Sequence, residues 1–259
     1  MKIAIIGAGN MGGAIARGLA HSNMDIKIAV ADLAQDKLDE LKAECDAIEV
    51  STDSLTIVAD ADVVLVAVKP WLVEPVLKGA LPALDLSRQI VLSIAAGVDI
   101  ATITSWLDND KAVVFRAIPN TAISIHQSMT FVSHNANATA HQVAQVEAIF
   151  NALGKAAVIE ERLMGAATSL CSCGIAFAMR YVRAATEGGV ELGIYPNDAK
   201  QYVLQTLRGA VELLETTGNN PEVEIDKVTT PGGITIKGLN AMEANGFTNA
   251  VIEGLKASK

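Results

Sequence analysis

The sequence predicts an α/β protein, with a parallel-sheet domain over residues 1–159 followed by an all-helical C-terminal dimerisation domain over residues 160–259. Three observations predict it. Short continuous apolar runs alternate with helical patterns in the first half; a glycine turn follows the first run directly; and the strand pattern stops near Glu160. Hydrophobic residues make up 51% of the 259, enough for a sizeable buried core. Aromatic residues make up only 4%, so that core is expected to be Ala, Val, Ile and Leu in close contact.

The first run, KIAII, passes through Gly7-Ala8-Gly9-Asn10-Met11-Gly12 into a helix. GxGxxG between a strand and a helix is the dinucleotide fingerprint of a Rossmann-type domain. Gly7 allows the tight turn, Gly9 lets the backbone approach a pyrophosphate, and Gly12 lets the helix pack close to the strand. The exposed N–H groups at the helix start then face the phosphates. The second run, IKIAVAD, ends at Asp32, twenty positions after Gly12. A carboxylate there accepts hydrogen bonds from a ribose 2′-hydroxyl and repels a 2′-phosphate. Leu33, Ala34 and Gln35 follow with no arginine, which favours NADH slightly over NADPH, while Lys37 pulls the other way. The alternative is that Asp32 only caps the helix expected from Gln35.

DKLDELKAE then reads as a helix, DVVLVAVKP as a buried strand, and WLVEPVLKGAL as a helix with an internal proline. QIVLSIAAGV and KAVVFRAIPN are further strands. Continuous apolar strands separated by helices imply a parallel sheet covered on both faces, with ligands beyond the carboxyl ends of its strands. Val68-Lys69-Pro70, Ala95-Ala96-Gly97 and Pro119-Asn120-Thr121 fall there.

In the second half a helix is expected from near Leu163 through Ala184 towards Gly188. Another follows Pro196-Asn197, with Val203, Leu204, Leu207, Val211 and Leu214 on one face and Gly218 at its end. A last one covers residues 249–255. Helices this apolar in about one hundred residues lack partner surface within one chain, which predicts pairing with another subunit. Between them, Thr229-Thr230-Pro231-Gly232-Gly233 interrupts the helical pattern just before a helix expected near Thr235. Unpaired N–H groups of Gly233, Ile234 and Thr235 would form a carboxylate site, with the Thr235 hydroxyl beside them. A plain connection capped by a threonine is the alternative.

The formal charge of −9 argues against nucleic acid or an anionic membrane as partner. The N-terminal apolar run is too short for a signal peptide. The longest uncharged stretch, residues 163–179, falls short of the roughly 20 residues of a membrane span. Cys45, Cys171 and Cys173 form an odd set, expected as buried thiols of a cytoplasmic protein. The four histidines lack paired ligand spacing, so no metal site is expected.

VTTPGGITIKGLNAMEANGF resembles the signature of the pyrroline-5-carboxylate reductases, and GAGNMG, AVKP, SIAAGV and RAIPNTA recur in the family's order along nearly the whole chain. The resemblance implies reduction of a cyclic imine carboxylate to L-proline, with NADH or NADPH as cofactor. It implies a helical domain that interlocks in a homodimer, sometimes assembling further. Carried across by position, Gly7, Ala8, Gly9, Asn10, Met11 and Gly12 lie along the pyrophosphate. Asp32 and Ser54 take the adenosine side, and Ala67, Val68, Lys69, Pro70, Ala95 and Asn120 line the cofactor groove. Glu161, Gly233, Ile234 and Thr235 surround the imine and its carboxylate, with Thr235 as the catalytic residue. The chain departs from the pattern at residues 171–177, where CSCGIAF replaces Ser-Gly-Ser-Gly-Pro-Ala-Tyr, and at Ser54, Arg183 and Glu224-Ile225. Reduction of a related imine, or a weakly catalytic NAD-binding role, are the alternative functions.

Overall fold

Eight strands form one sheet in the computed structural model, which describes all 259 residues. They are β1 Lys2–Ile6, β2 Lys27–Ala31, β3 Glu49–Ser51, β4 Val63–Val66, β5 Ile90–Ser93, β6 Val113–Ile118, β7 Ser128–His134 and β8 Gly154–Val158. Their order is β3-β2-β1-β4-β5-β6-β7-β8. Every pairing is parallel except β6 with β7. The strands expected from the sequence, β1, β2, β4, β5 and β6, are all parallel; β7 runs the other way because a short 3-10 turn, Thr121–Ile125, replaces a crossover helix before it.

Helices α1 Asn10–Ala20, α2 Gln35–Glu44, α3 Ser54–Val58, α4 Val73–Ala80, α5 Ile100–Leu107, α6 Ala140–Asn151 and α7 Met164–Ala167 belong to the same compact unit, Met1–Ser172. Side chains alternate across each strand, so both faces of the sheet need cover. Ile3, Ile5, Val63 and Leu65 pack with Ile15, Leu19, Leu38 and Phe150 on one face. Ala4, Ile6 and Val64 pack with Ile57 and Val58 on the other, beside a cluster of Val66, Val91, Leu77 and Ile103. This two-sided burial explains why the strands read as unbroken apolar runs. The strand order reverses between β1 and β4, which leaves a crevice at the carboxyl ends of those two strands.

The first compact unit extends to Ser172, whereas the strand pattern alone placed the boundary at 159/160. The chain passes through a π-turn, Thr168–Cys173, into the second unit, Cys173–Lys259. That unit consists of α8 Gly174–Glu191, α9 Pro196–Thr217, α10 Pro221–Val228, α11 Ile234–Ala244 and α12 Phe247–Ala257. Proline opens α9 at its first position and Gly218 closes it with φ +64°, the expected asymmetry of helix ends. Gly189 lets α8 meet α9 closely, since a Cβ there would lie 3.1 Å from that of Ala199. Ala199 is nevertheless the sole buried residue of the unit; Met179, Tyr181, Leu213, Met242 and Ile252 are all exposed. The stretch Glu161–Glu191 is long and apolar enough, by length and composition, to cross a membrane, which the uncharged run by itself is not. Cys45 is buried as expected, but Cys171 and Cys173 are only half-buried in the π-turn.

Candidate active site

A cleft of about 730 Å³ opens at the crevice between β1 and β4. Its walls include Gly7, Gly9, Asn10 and Met11 from the first loop, Asp32 and Ser54 from the β2 and β3 side, and Ala67, Val68 and Lys69 after β4. The glycines have distinct geometries. Gly7 has φ +113°, a conformation that L side chains rarely adopt, and a Cβ there would sit 2.7 Å from the Ala67 carbonyl oxygen. Gly12 lies so close beneath the turn that its Cβ would collide with the Gly7 carbonyl oxygen. A Cβ on Gly9 would meet nothing within 4 Å, so Gly9 faces open space in the cleft. The first turn of α1 has no side-chain cap, and its N–H groups lack partners inside the helix. An uncapped helix start beside an open glycine fits the phosphates of a dinucleotide.

Asp32 ties two loops together. Its Oδ2 accepts from the Ala8 N–H at 2.7 Å and its Oδ1 from the Ala34 N–H at 2.9 Å. The residue preceding α2 is Ala34, which provides no side-chain cap. The Ala8 N–H is therefore already engaged, leaving the N–H groups of Gly9, Asn10 and Met11 as the loop's free donors. Gly12, Pro70, Ala95 and Asn120 do not line the cleft walls. Asn120 is buried: its N–H donates to Ser128 Oγ at 3.1 Å, and its side-chain oxygen accepts from the Ala122 N–H at 3.0 Å. Ser172 Oγ donates to the Pro119 carbonyl at 3.0 Å, fastening the π-turn to the end of β6.

Glu161, expected at the imine, is engaged through one of its two carboxylate oxygens. Its Oε1 accepts from the Ile100 N–H at 2.8 Å and from Arg116 Nη1 at 3.3 Å, so it holds the head of α5 and a cation inside the sheet. Arg116 is 9% exposed and its Nε has no partner. Asp99 caps α5 by accepting from the Thr102 N–H at 2.7 Å. Thr102, through its side chain and then its backbone N–H, holds the Asp99 carboxyl below the usual carboxylate range, and Arg116 adds to this.

Gly233, Ile234 and Thr235 lie in the second unit, at the head of α11. Gly232 has φ +73°, and the Gly233 N–H donates to the Thr230 carbonyl at 2.9 Å, closing the turn. The sequence counted Gly233 among the free donors; its N–H is spent inside the turn. Ile234, at 88% exposure, and Thr235 begin the helix without a side-chain cap, so their N–H groups are open to a ligand.

Sequence reasoning weighed Leu33 and Lys37 for cofactor preference, and both line the cleft; it missed Thr52, Leu72, Pro75, Val76 and Ile94. Pro75 gave a signal, since a proline inside a helical pattern belongs in a first turn, and here it lies in the first turn of α4. Arg116 was also legible as the charge in an otherwise apolar strand.

A family model described as pyrroline-5-carboxylate reductase dimerisation matches residues 161–259. A second, described as NADP oxidoreductase, coenzyme F420-dependent, matches residues 2–97. The chain is 36% identical to pyrroline-5-carboxylate reductase 2 of Dictyostelium discoideum, covering 99% of this chain and 90% of that protein. It is 34% identical to the pyrroline-5-carboxylate reductase of Methanosarcina acetivorans, covering 100% and 97%. Pyrroline-5-carboxylate reductase 1 of Dictyostelium discoideum is 38% identical, and the chain spans 48% of its length. Among solved structures, a pyrroline-5-carboxylate reductase from Coxiella burnetii superposes with a TM-score of 0.92 at 29% identity, covering 99% of this chain and 95% of that one. The Plasmodium falciparum pyrroline carboxylate reductase, solved with NADP bound, superposes with a TM-score of 0.89 at 26% identity, covering 100% and 95%. Alike in sequence and in fold from end to end, this chain belongs to the pyrroline-5-carboxylate reductase family.

Proposed function

We propose that the protein reduces 1-pyrroline-5-carboxylate to L-proline with a hydride from NADH or NADPH. The observation that carries this reading, within the family, is the uncapped head of α11, where two open N–H groups adjoin a threonine hydroxyl. When bound, the nicotinamide supplies the hydride to the imine carbon. The first-turn amides of α1 hold the pyrophosphate over the open face of Gly9, and Asp32 and Ser54 take the adenosine ribose side. Ala67, Val68 and Lys69 line the groove, and Pro70, Ala95 and Asn120 follow β4, β5 and β6 just outside its walls.

A protonated imine is already a hydride acceptor, so the protein's work is orientation and electrostatics. The N–H groups of Ile234 and Thr235 hold the substrate carboxylate, and Gly232 and Gly233 set their direction. The Thr235 hydroxyl hydrogen-bonds the ring nitrogen and keeps its proton in place, and that proton remains on the product amine. Glu161 fixes α5 through Ile100 and Arg116 with its Oε1, which places it beside the imine as a positioning residue.

The protein works as a homodimer in which a second copy covers the exposed apolar faces of α8, α9 and α12. We read Glu161–Glu191 as a subunit-contact helix of a soluble cytoplasmic enzyme, with no nucleic-acid or membrane partner; assembly beyond the dimer fits the family. Incubation with pyrroline-5-carboxylate and either cofactor, with nicotinamide absorbance and proline both measured, tests the reading. Proline forming in step with cofactor oxidation is expected; cofactor binding without turnover would overturn it.

A further inference from the structure

We propose that Arg116 is a positioning residue for the imine, acting through Glu161. The guanidinium and the head of α5 hold one oxygen of that carboxylate, Oε1, and so present the other, Oε2, as a fixed negative charge to the protonated ring. The inference rests on the imine-reductase reading above and adds to it a residue that touches neither substrate nor cofactor.

Arg116 is the charge in an otherwise apolar strand, VVFRAI, and is only 9% exposed. Taking a guanidinium out of water is expensive, and an apolar residue of similar volume often serves stability as well or better. The sheet nevertheless makes room for it. Ser93 of β5 and Ser133 of β7 stand beside Arg116 in register, both buried and both small. The guanidinium is poorly satisfied there: Nη1 donates to Glu161 Oε1 at 3.3 Å, and Nε has no partner. A buried polar group kept in that condition calls for a reason other than stability.

Glu161 supplies the reason. It opens the 3-10 turn Glu161–Leu163 after β8, and its Oε1 accepts from the Ile100 N–H at 2.8 Å as well as from Arg116. Two donors from two elements converge on one oxygen, which fixes the carboxylate more firmly than either bond alone. Oε2 takes no donor from the protein, and the side chain is 32% exposed, so that oxygen is open. The Asp99 carboxyl also feels the guanidinium: Thr102 and, after it, Arg116 hold it below the usual carboxylate range. Two carboxylates about one guanidinium leave one negative charge in excess, the sign that suits a protonated imine. The ring nitrogen keeps its proton, so Oε2 acts by charge alone. Arrival of the hydride cancels the ring's positive charge, so this attraction is stronger in the bound substrate than in the transition state. Its loss therefore raises KM more than it lowers kcat.

The test measures kcat and KM for pyrroline-5-carboxylate at saturating NADH, with the NADH Kd and thermal melting alongside. The full-length parent is compared with Arg116→Met, Arg116→Lys, Glu161→Gln and the double variant Arg116→Met/Glu161→Gln. KM is expected to rise about tenfold in Glu161→Gln and about fivefold in Arg116→Met, with smaller changes in kcat. Arg116→Lys keeps the charge without the fork, so its KM falls between those of the parent and Arg116→Met. The double variant is expected to match Glu161→Gln within about twofold, since Arg116 acts only through that carboxylate. The NADH Kd stays that of the parent throughout. Should Arg116→Met fail to fold, a raised KM in a folded Arg116→Lys protein carries the same support. Parent-like KM in the folded Arg116 variants, independent losses that multiply in the double variant, or a parallel loss of NADH affinity would each overturn the inference while leaving the reductase reading intact. A parent that binds NADH and does not reduce the imine would overturn that reading and this inference with it.

Discussion

Replacing Gly9 and Gly12 by alanine in turn separates what the glycine loop does for the fold from what it does for the cofactor. At Gly12 the added methyl would overlap the Gly7 carbonyl oxygen and stand 2.9 Å from the Ala67 Cβ. Both neighbours are held in place, by strand β1 and by the loop after β4, so α1 must move outward by more than an ångström. Overpacking of a dense core costs about 1–3 kcal/mol, while alanine in place of glycine in a helix returns up to ~1 kcal/mol. Because the obstacle is backbone, the upper part of the range applies, leaving a net loss of about 2 kcal/mol. For a unit of this size that lowers Tm by roughly 4–8 °C. At Gly9 the methyl meets nothing, and φ −69° with ψ −172° is open to alanine, so stability changes by less than about 1 kcal/mol. The methyl instead occupies the space over which the pyrophosphate must pass, and NADH affinity falls at least tenfold, about 1.4 kcal/mol. Thermal denaturation and NADH titration of both variants read the two effects. Gly9→Ala binding NADH like the parent, or Gly12→Ala melting like the parent, would refute the reasoning.

Thr235→Ala is expected to lower kcat/KM for pyrroline-5-carboxylate at least tenfold while leaving the NADH Kd unchanged; steady-state kinetics with a cofactor titration checks both. Glu161→Ala removes the carboxylate from a nine-tenths buried Arg116 whose Nε is already unpartnered, and denaturant unfolding should show a loss of about 2 kcal/mol, reduced from the fully buried case because Glu161 is partly exposed. Asp99→Ala removes the α5 cap at a cost of about 1 kcal/mol at neutral pH. Since the folded-state pKa of Asp99 lies below its unfolded value, its contribution is complete above the usual carboxylate range and is lost as pH falls through the depressed value. The stability gap between parent and variant should therefore close in acid.

Much of the first unit was legible because its sheet is buried on both sides. β1, β2, β4, β5 and β6 read as apolar runs for that reason, and Gly7, Gly9 and Gly12 showed themselves by spacing alone. β3 was missed because three residues are too few for a pattern. β7 and β8 were missed because they lie where polar and apolar residues mix, as in SMTFVSH and GKAAV. Helix ends marked by Pro196 and Gly218 fell where turn chemistry put them. What spacing could not give was the partner of each polar atom. The Gly233 N–H looked like a free donor and is bonded within the turn, and one carboxylate oxygen of Glu161 is shared with Ile100 and Arg116. The Glu161 pairings depend on contacts between residues far apart in the chain, which no local pattern records.

The central claim is that hydride passes from the nicotinamide to the carbon of the imine bond. NADH carrying deuterium on the transferred position, incubated with the protein and pyrroline-5-carboxylate, tests it by mass spectrometry of the product. The account predicts L-proline bearing a single deuterium on the carbon that formed the C=N bond, in amounts equal to the cofactor oxidised. Proline without the label, or oxidised cofactor without proline, would contradict it.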